Sequence, residues 1–392
     1  MKIDKKNPRH WLYLFVFGLN VLVAAVLRPL RARLARKVVV LYGHKLNGNL
    51  LPIYSAIHIQ KEPDRDLDAV FLTLDPEYWR ELKAAGERCV LATSFACIGL
   101  LSRADAVITS HGLHAMQPLI RLSDIRFFDV WHGIPYKGFD ADDFRVQHRY
   151  DEIWVASELL RKIYIERYGF QPQRVHATGY PRTDRLVTRH EDAVALRRRF
   201  GAPDTGKLIL FAPTWAQDSR GRSIYPFGHD EATFLGALSD LAARHDATIL
   251  MRAHLNSGTA AGKGYTNVVP VPHGEFPDTE GILLISDLLI CDWSSIAFDY
   301  LLLDRPTLFL DVDSPFRKGF SLGPEFRFGS IVKGLDQLVR EIEQCLRLPT
   351  MYHDLHGESH TRIRAQVYGG FADGQATDRC IGRLTRCFAV KK

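Results

Sequence analysis

The sequence predicts an α/β protein of two doubly wound parallel-sheet domains facing a cleft, preceded by an apolar N-terminal segment. Three observations predict it. Short apolar, β-branched runs alternate with helix-period stretches along most of the chain, which is how parallel strands joined by crossover helices read. The alternation breaks once, at residues 189–206, where a charged helix (DAVALRRRF) ends at Gly201 and the polar turn cluster APDTGK follows. The length, 392 residues with 46% hydrophobic and 24% charged side chains, is ordinary globular composition and accommodates two domains of usual size. The same figures exclude disorder, collagen and a disulfide-stapled mini-protein. The expected division is 1–37, 38–190 and 191–392.

Residues 11–27, WLYLFVFGLNVLVAAVL, carry no charge and are interrupted only by Gly18 and Asn20. Seventeen helical residues at about 1.5 Å each fall short of a hydrocarbon core of about 30 Å. Lys2, Lys5, Lys6 and Arg9 precede the run, and Arg28, Arg31, Arg33, Arg36 and Lys37 follow it, so loop charge does not orient it. Basic flanks on both sides suit an interfacial or re-entrant anchor on an anionic leaflet. A cleaved signal peptide fits poorly, because Arg28 directly follows the apolar run; a buried N-terminal helix is the plainer alternative. Residues 1–37 hold nine Lys/Arg against the single acid Asp4, leaving 42 bases and 44 acids of the chain's 51 and 45. The segment is thus +8 and the body −2, and a near-neutral body argues against nucleic acid as a partner.

In the first domain the run KVVVLY stops at Gly43 as a strand entering a phosphate-facing loop does. Further strands are expected at Ala69–Leu74, Ala106–Ser110, Phe127–Trp131 and Glu152–Ala156, with helices such as Glu77–Gly86 and Glu158–Tyr168 between them. The second series has strands at Lys207–Ala212, Thr248–Arg252, Asn267–Val271, Leu288–Cys291 and Thr307–Leu310, and helices at Glu231–Arg244 and Leu335–Leu346. Gln217–Asp230, rich in Gly, Ser and charge, reads as a mobile loop beside the cleft. The six cysteines, at 89, 97, 291, 345, 380 and 387, show no zinc spacing and read as reduced, mostly buried thiols.

Open α/β sheets bind ligands beyond the carboxyl ends of their strands, so polar residues directly after strands are the candidates. FFDVWHGIPYKG ends a strand at Trp131-His132-Gly133, offering an imidazole in the pKa range of a general base and a glycine for close backbone approach. LILFAPTWAQD offers Thr214. ATILMRAHLN places Arg252 and His254 on one face by alternation, a cation and an imidazole suited to phosphoryl oxygens, although an Arg paired to a surface carboxylate reads the same way. LLICDWSSIAFDYLLLDRP brings Asp292 and then Ser294 and Ser295 to the start of an apolar helix running to Leu303, either an anion site or a plain cap. HATGYPRTDRL carries Gly179, Pro181, Arg182 and Asp184 in a turn between the domains, which also reads as a hinge. No dinucleotide fingerprint, P-loop, nucleophile elbow or His/Cys metal spacing occurs.

The motifs WHGIPYKG, GYPRTD, FAPTW, RAH and DWSSIAFDY, in that order and spacing, resemble the CDP-glycerol glycerophosphotransferases of teichoic acid synthesis. The resemblance runs from about Asp105 to the segment DGQATDR at 373–379. It implies two Rossmann-like domains of the GT-B type, a CDP-glycerol or related CDP-polyol donor, and transfer of the polyol phosphate to a hydroxyl of a membrane-borne, lipid-linked acceptor. His132 and His254 match the family's essential histidine pair, and Ser294 and Ser295 match its diphosphate-binding serines. Thr214, Gly133, Arg182, Asp184, Arg252 and Asp292 fall with them on the donor side; His44, Asn47 and Asn49, in the loop after the first strand, fall on the acceptor side. In the implied reaction the acceptor hydroxyl loses its proton to His132 and attacks the β-phosphorus, and CMP leaves with its charge met by Arg252, His254 and the serines; which histidine is the base stays open. Ile134, Tyr136 and Trp293 depart from the family pattern, as does the segment after Asp313, which lacks the usual acidic residues. No metal cage is legible, and Mg²⁺ is expected only as a companion of the donor diphosphate. A cytosolic CDP donor places the body at the cytoplasmic face of the inner membrane. A body of two catalytic domains resembles the family's single-addition primases more than its polymerases. The rival reading is a GT-B glycosyltransferase using a nucleotide-sugar.

Overall fold

The computed structural model describes residues 4, 6–31, 36–59, 67–214, 225–252 and 264–389. The chain divides into two compact units: Met1–His132 with Asp140–Asp184 and Gln375–Lys392, and Gly133–Phe139 with Arg185–Gly374.

The first unit is built on seven parallel strands: β1 (Lys37–Tyr42), β2 (Leu67–Thr73), β3 (Cys89–Leu91), β4 (Ala104–Thr109), β5 (Arg126–Asp129), β6 (Glu152–Val155) and β7 (Val175–Ala177). Their order is β3-β2-β1-β4-β5-β6-β7, so the winding reverses between β1 and β4. β1 reads as an unbroken apolar run because helices cover both sheet faces, and Val39, Val40 and Leu41 are fully buried. The core on one face joins Val39, Leu41, Phe71, Ile108 and Phe128 to Leu50 and Ile53, and to Cys380, Ile381 and Leu384 of the helix Ala376–Ala389. A linear division leaves that last helix with the second domain. Its apolar stripe instead completes the first unit's core, and Asp184 accepts from the amides of Ala376 and Thr377 at 2.9 and 2.8 Å to fix its start.

The second unit has six parallel strands: β8 (Lys207–Ala212), β9 (Ala247–Met251), β10 (Val268–Pro270), β11 (Leu288–Cys291), β12 (Thr307–Leu310) and β13 (Ser330–Val332). Their order is β10-β9-β8-β11-β12-β13, reversing between β8 and β11. β3, β7 and β13, three residues each, are absent from the sequence reading, whereas β10, equally short, lies within the longer apolar run NVVPV. The expected loop 217–230 lies outside the described residues up to 224.

The N-terminal helix, Pro8–Leu27, starts with Asn7 Oδ1 accepting from the Arg9 amide at 3.0 Å and proline in its first turn. Phe17, Asn20, Val21 and Ala24, spaced i, i+3, i+4 and i+7, form a buried stripe against the helix Phe95–Leu101 and the short turn His114–Met116. Asn20, the polar interruption in the apolar run, donates to the carbonyls of Ala92 and Ser94 at 2.9 and 3.1 Å. Arg28 then pairs with Asp124 and donates to the Ala104 carbonyl at 2.6 Å. Trp11, Leu12, Phe15, Leu19, Leu22 and Val26 face outward, Phe15 and Val26 being 70% and 73% exposed. Among the described residues this is the one helix whose length and composition would allow it to cross a membrane.

Candidate functional site

The turn after β5 is the most constrained point of the first unit. Asp129 ends the strand, fully buried, and its Oδ1 accepts from the Trp131 amide at 2.7 Å. Burial pushes the Asp129 carboxyl up to about 7, against the lowering effect of that amide. Trp131 has φ +43°, a left-handed conformation that costs a non-glycine residue about 1–3 kcal/mol. Asn49 holds it there, donating from Nδ2 to the carbonyls of Val130 and Trp131, each at 3.0 Å. Asn49 Oδ1 accepts from the Arg182 amide at 3.2 Å, and Arg182 Nη1 donates to the His132 carbonyl at 2.7 Å. Asn49, 2% exposed, and Arg182 therefore brace this turn, rather than standing free toward an acceptor or a donor.

His132 Nδ1 lies 3.0 Å from the carbonyl oxygen of Ser110. A carbonyl only accepts, so Nδ1 carries the hydrogen and the lone pair of the neutral ring is on Nε2. The imidazole of His111 stacks on it, ring centroids 4.5 Å apart and planes at 12°. The His44 ring lies 4.7 Å from that of His111, tilted at 49°, and His114 lies 6.0 Å from His44. His114 Nδ1 sits 2.8 Å from the Tyr42 hydroxyl, and burial pushes this imidazole down. Four histidines thus gather beyond β1, β4 and β5, around the point where the strand order reverses. His111 and His114 were missed in the sequence, although TSHGLH directly follows a predicted strand and the rule that selected His132 selects them too. Asn47, half-buried, accepts through its carbonyl from the Leu50 amide at 3.2 Å, at the start of the helix Leu50–Ile59.

In the second unit the Thr214 amide donates to Asp292 Oδ1 at 2.7 Å and its hydroxyl donates to the same oxygen, tying the loop after β8 to the loop after β11. Ser294 and Ser295 follow, half-buried, and the Ser295 hydroxyl does not cap the six-residue helix Ile296–Leu301. Thr214 and the two serines therefore stand at this sheet's own reversal point. Arg252 departs from the expectation of a cation facing phosphoryl oxygens. It is buried and donates to the carbonyls of Val271 and Phe276 at 3.2 and 3.1 Å and to Thr279 Oγ1 at 2.8 Å, and burial lowers its guanidinium to about 10. Its alternate neighbour His254 lies outside the described residues. Asp184 likewise spends its carboxylate on the helix Ala376–Ala389. Gly133, at φ +156°, is where the chain passes from the first unit to the second.

Two of the departures from the family pattern meet in the second unit. Tyr136 stacks on Phe298 at 4.5 Å and lies edge-on to Trp293 at 5.9 Å. Arg327, its side chain 5% exposed, packs its guanidinium 3.6 Å from the Trp293 ring centre, and burial pushes its pKa down. Among the described residues no three His, Cys, Asp or Glu side chains gather as metal ligands.

Two doubly wound parallel sheets, each with polar side chains at its own reversal point, define an α/β chain of the GT-B type. Residues 25–386 match the CDP-Glycerol:Poly(glycerophosphate) glycerophosphotransferase family, and the chain belongs to that family. It is 30% identical over 212 residues to a teichoic acid poly(glycerol phosphate) polymerase of Staphylococcus epidermidis, covering 48% of this chain and 28% of that one. It is 26% identical over 281 residues to a teichoic acid glycerol-phosphate transferase of Staphylococcus aureus, covering 64% and 69%. The chain spans 42% of a poly(ribitol-phosphate) polymerase of Bacillus spizizenii, so it represents less than half of either polymerase. In fold it is similar to the wall teichoic acid polymerase TagF, with a TM-score of 0.74 at 19% identity over 95% of this chain and 94% of that one.

Proposed function

We propose that this protein transfers a polyol phosphate, glycerol phosphate first among them, from a CDP-polyol to a hydroxyl of a lipid-linked acceptor, releasing CMP. Beyond family membership, the observation that carries this reading is the state of His132. Its Nδ1–H is committed to a carbonyl, its Nε2 is left basic, and its turn is held in a costly backbone conformation. Strain kept in place by three side chains supports a functional role for this position. In the reaction the acceptor hydroxyl gives its proton to Nε2 of His132 while its oxygen bonds the β-phosphorus. The bridging phosphoanhydride bond breaks and its electron pair leaves with CMP. Thr214, Ser294 and Ser295 are the donor-side groups supported by their place after β8 and β11. His254 is the proposed partner for the leaving phosphate by family resemblance. No residue is assigned to a metal; Mg²⁺ would enter as the counter-ion of the donor.

The membrane part of the reading rests on the N-terminal helix. Its inner stripe is committed to the first unit, so its outer stripe is proposed to lie in the lipid interface. The +8 charge of residues 1–37 favours an anionic leaflet, with the body on the cytoplasmic side where the nucleotide donor is made.

The test is incubation with CDP-glycerol, CDP-ribitol and several nucleotide-sugars beside a lipid acceptor in vesicles. Release of CMP from a CDP-polyol is the expected result. Turnover of nucleotide-sugars with both CDP-polyols inert would replace this reading with glycosyl transfer.

A further inference from the structure

The loops after β1, β4 and β5 bring three imidazoles together, His111 stacked on His132 and His44 tilted at 49° to His111, and His111 has no role in the reading above. We propose that His111 is a positioning residue for His132: it fixes the plane of that imidazole and disfavours its protonation, so that Nε2 remains a proton acceptor. The inference rests on His132 being the base.

Ser110 and His111 together grip His132 on two sides. The Ser110 carbonyl accepts from Nδ1 on the ring edge at 3.0 Å, and His111 covers the ring face at 4.5 Å and 12°. His111 is itself anchored, its Nδ1 lying 2.8 Å from the Ser110 hydroxyl. The edge contact alone would leave the ring free to rock about that bond, and the face contact removes this freedom. Stacking also sets two titratable rings close enough that two positive charges would repel. A proton on either raises the cost of a proton on the other, so the stack titrates as a coupled set.

The groups around His132 act in the same direction from most sides. His44, from the loop after β1, lies 4.7 Å from His111, and His114 lies 6.0 Å from His44. Arg182, from the helix Pro181–Thr188, brings a cation to the His132 carbonyl at 2.7 Å. Trp131 lies against the ring, centroids 4.3 Å apart and planes at 33°, while the His132 side chain stays exposed. Asp129 is the opposing acid; it reaches the turn only through the Trp131 amide, and its buried carboxyl favours the neutral form up to about pH 7.

The experiment is an NMR titration of the full-length protein with isotope-labelled histidine, the His132 signal being identified by its loss in His132→Gln. In the unaltered protein His132 should titrate below the ordinary value of about 6.5 and show the Nδ1–H tautomer. His111→Ala, which opens the face to water, and His111→Phe, which keeps a flat ring but cannot take a proton, should both raise the midpoint by roughly one pH unit. Only His111→Phe should keep the tautomer signature. The acid limb of kcat/KM should move with the titration while donor KM stays. A His132 midpoint unmoved in both variants, or one at or above 6.5 in the unaltered protein, overturns the inference. Full turnover by His132→Gln overturns instead the assignment of His132 as base, and leaves the titration as an independent measure of the stack.

Discussion

At the scale of single residues, the proposed chemistry depends on a few side chains. His132→Ala should lower kcat by about 10²–10⁴ with little change in unfolding midpoint, since the side chain is exposed. His254→Ala should do the same on the leaving-group side, whereas Ser294→Ala combined with Ser295→Ala should chiefly raise donor KM. Stopped-assay CMP release over a range of CDP-glycerol concentrations separates these outcomes. Asn49 behaves differently, because it makes three bonds and touches no reacting atom. Asn49→Ala leaves two carbonyls and one amide unpaired in a buried turn and should cost on the order of 2–3 kcal/mol in urea unfolding. It should also lower kcat at least tenfold, as Trp131 relaxes from φ +43° and carries His132 with it. Asp129 adds a pH dependence. Its carboxyl is raised toward about 7 in the fold, so its stabilising neutral form counts fully below about pH 4 and is lost as pH rises through 7. The difference is of order 4 kcal/mol. Asp129→Asn should flatten the fall in stability between pH 4 and 7, and an unchanged slope in denaturant titrations at those two pH values would contradict the assignment.

At the scale of elements, the N-terminal helix divides its labour between two faces. The inner stripe is fastened by Asn20 and by Phe17, whose ring lies 6.0 Å from that of Tyr42. Deleting residues 1–37 would therefore strip packing from the first unit as well as lipid contact. A cleaner experiment places charge only on the outside. Phe15→Asp with Leu22→Asp should abolish flotation with anionic vesicles and turnover of lipid acceptor, yet leave the unfolding midpoint and turnover of a soluble acceptor analogue unchanged. Loss of stability equal to that of Asn20→Leu would mean that the outer stripe also packs against protein.

At the scale of the whole molecule, the two units are interleaved in sequence rather than laid end to end. The helix Ala376–Ala389 buries Cys380, Ile381 and Leu384 in the first unit, at about 1.5–3 kcal/mol for each large aliphatic side chain. Together with the bonds of Asp184 and the pairing of Arg383 with Glu152, that is a large share of the roughly 5–15 kcal/mol typical of a domain. A chain stopped after Gly374 should lose the cooperative transition of the first unit while the second keeps its own. Calorimetry would show one endotherm in place of two.

The sequence by itself determined the local order of this protein. β1, β8 and β11 are apolar runs long enough to be read without neighbours, and the single break near Gly201 marks the passage from one series of strands to the next. His132, Thr214, Ser294 and Ser295 were legible because a polar residue directly after such a run has one place to go, beyond the carboxyl edge of the sheet. Tertiary structure alone decided which partners the polar groups take. Arg252 directly follows a strand, and Asn49 and Asp184 lie beyond the ends of β1 and β7, yet each bonds to backbone groups far away in sequence, among them Phe276, Val130 and Ala376. The stacking of His111 on His132 likewise joins the ends of two different strands, 21 positions apart. A pattern along the chain records which residues alternate or recur, but hydrogen-bond partners and ring contacts are set by how sheets and helices close upon one another, and that information exists only in three dimensions.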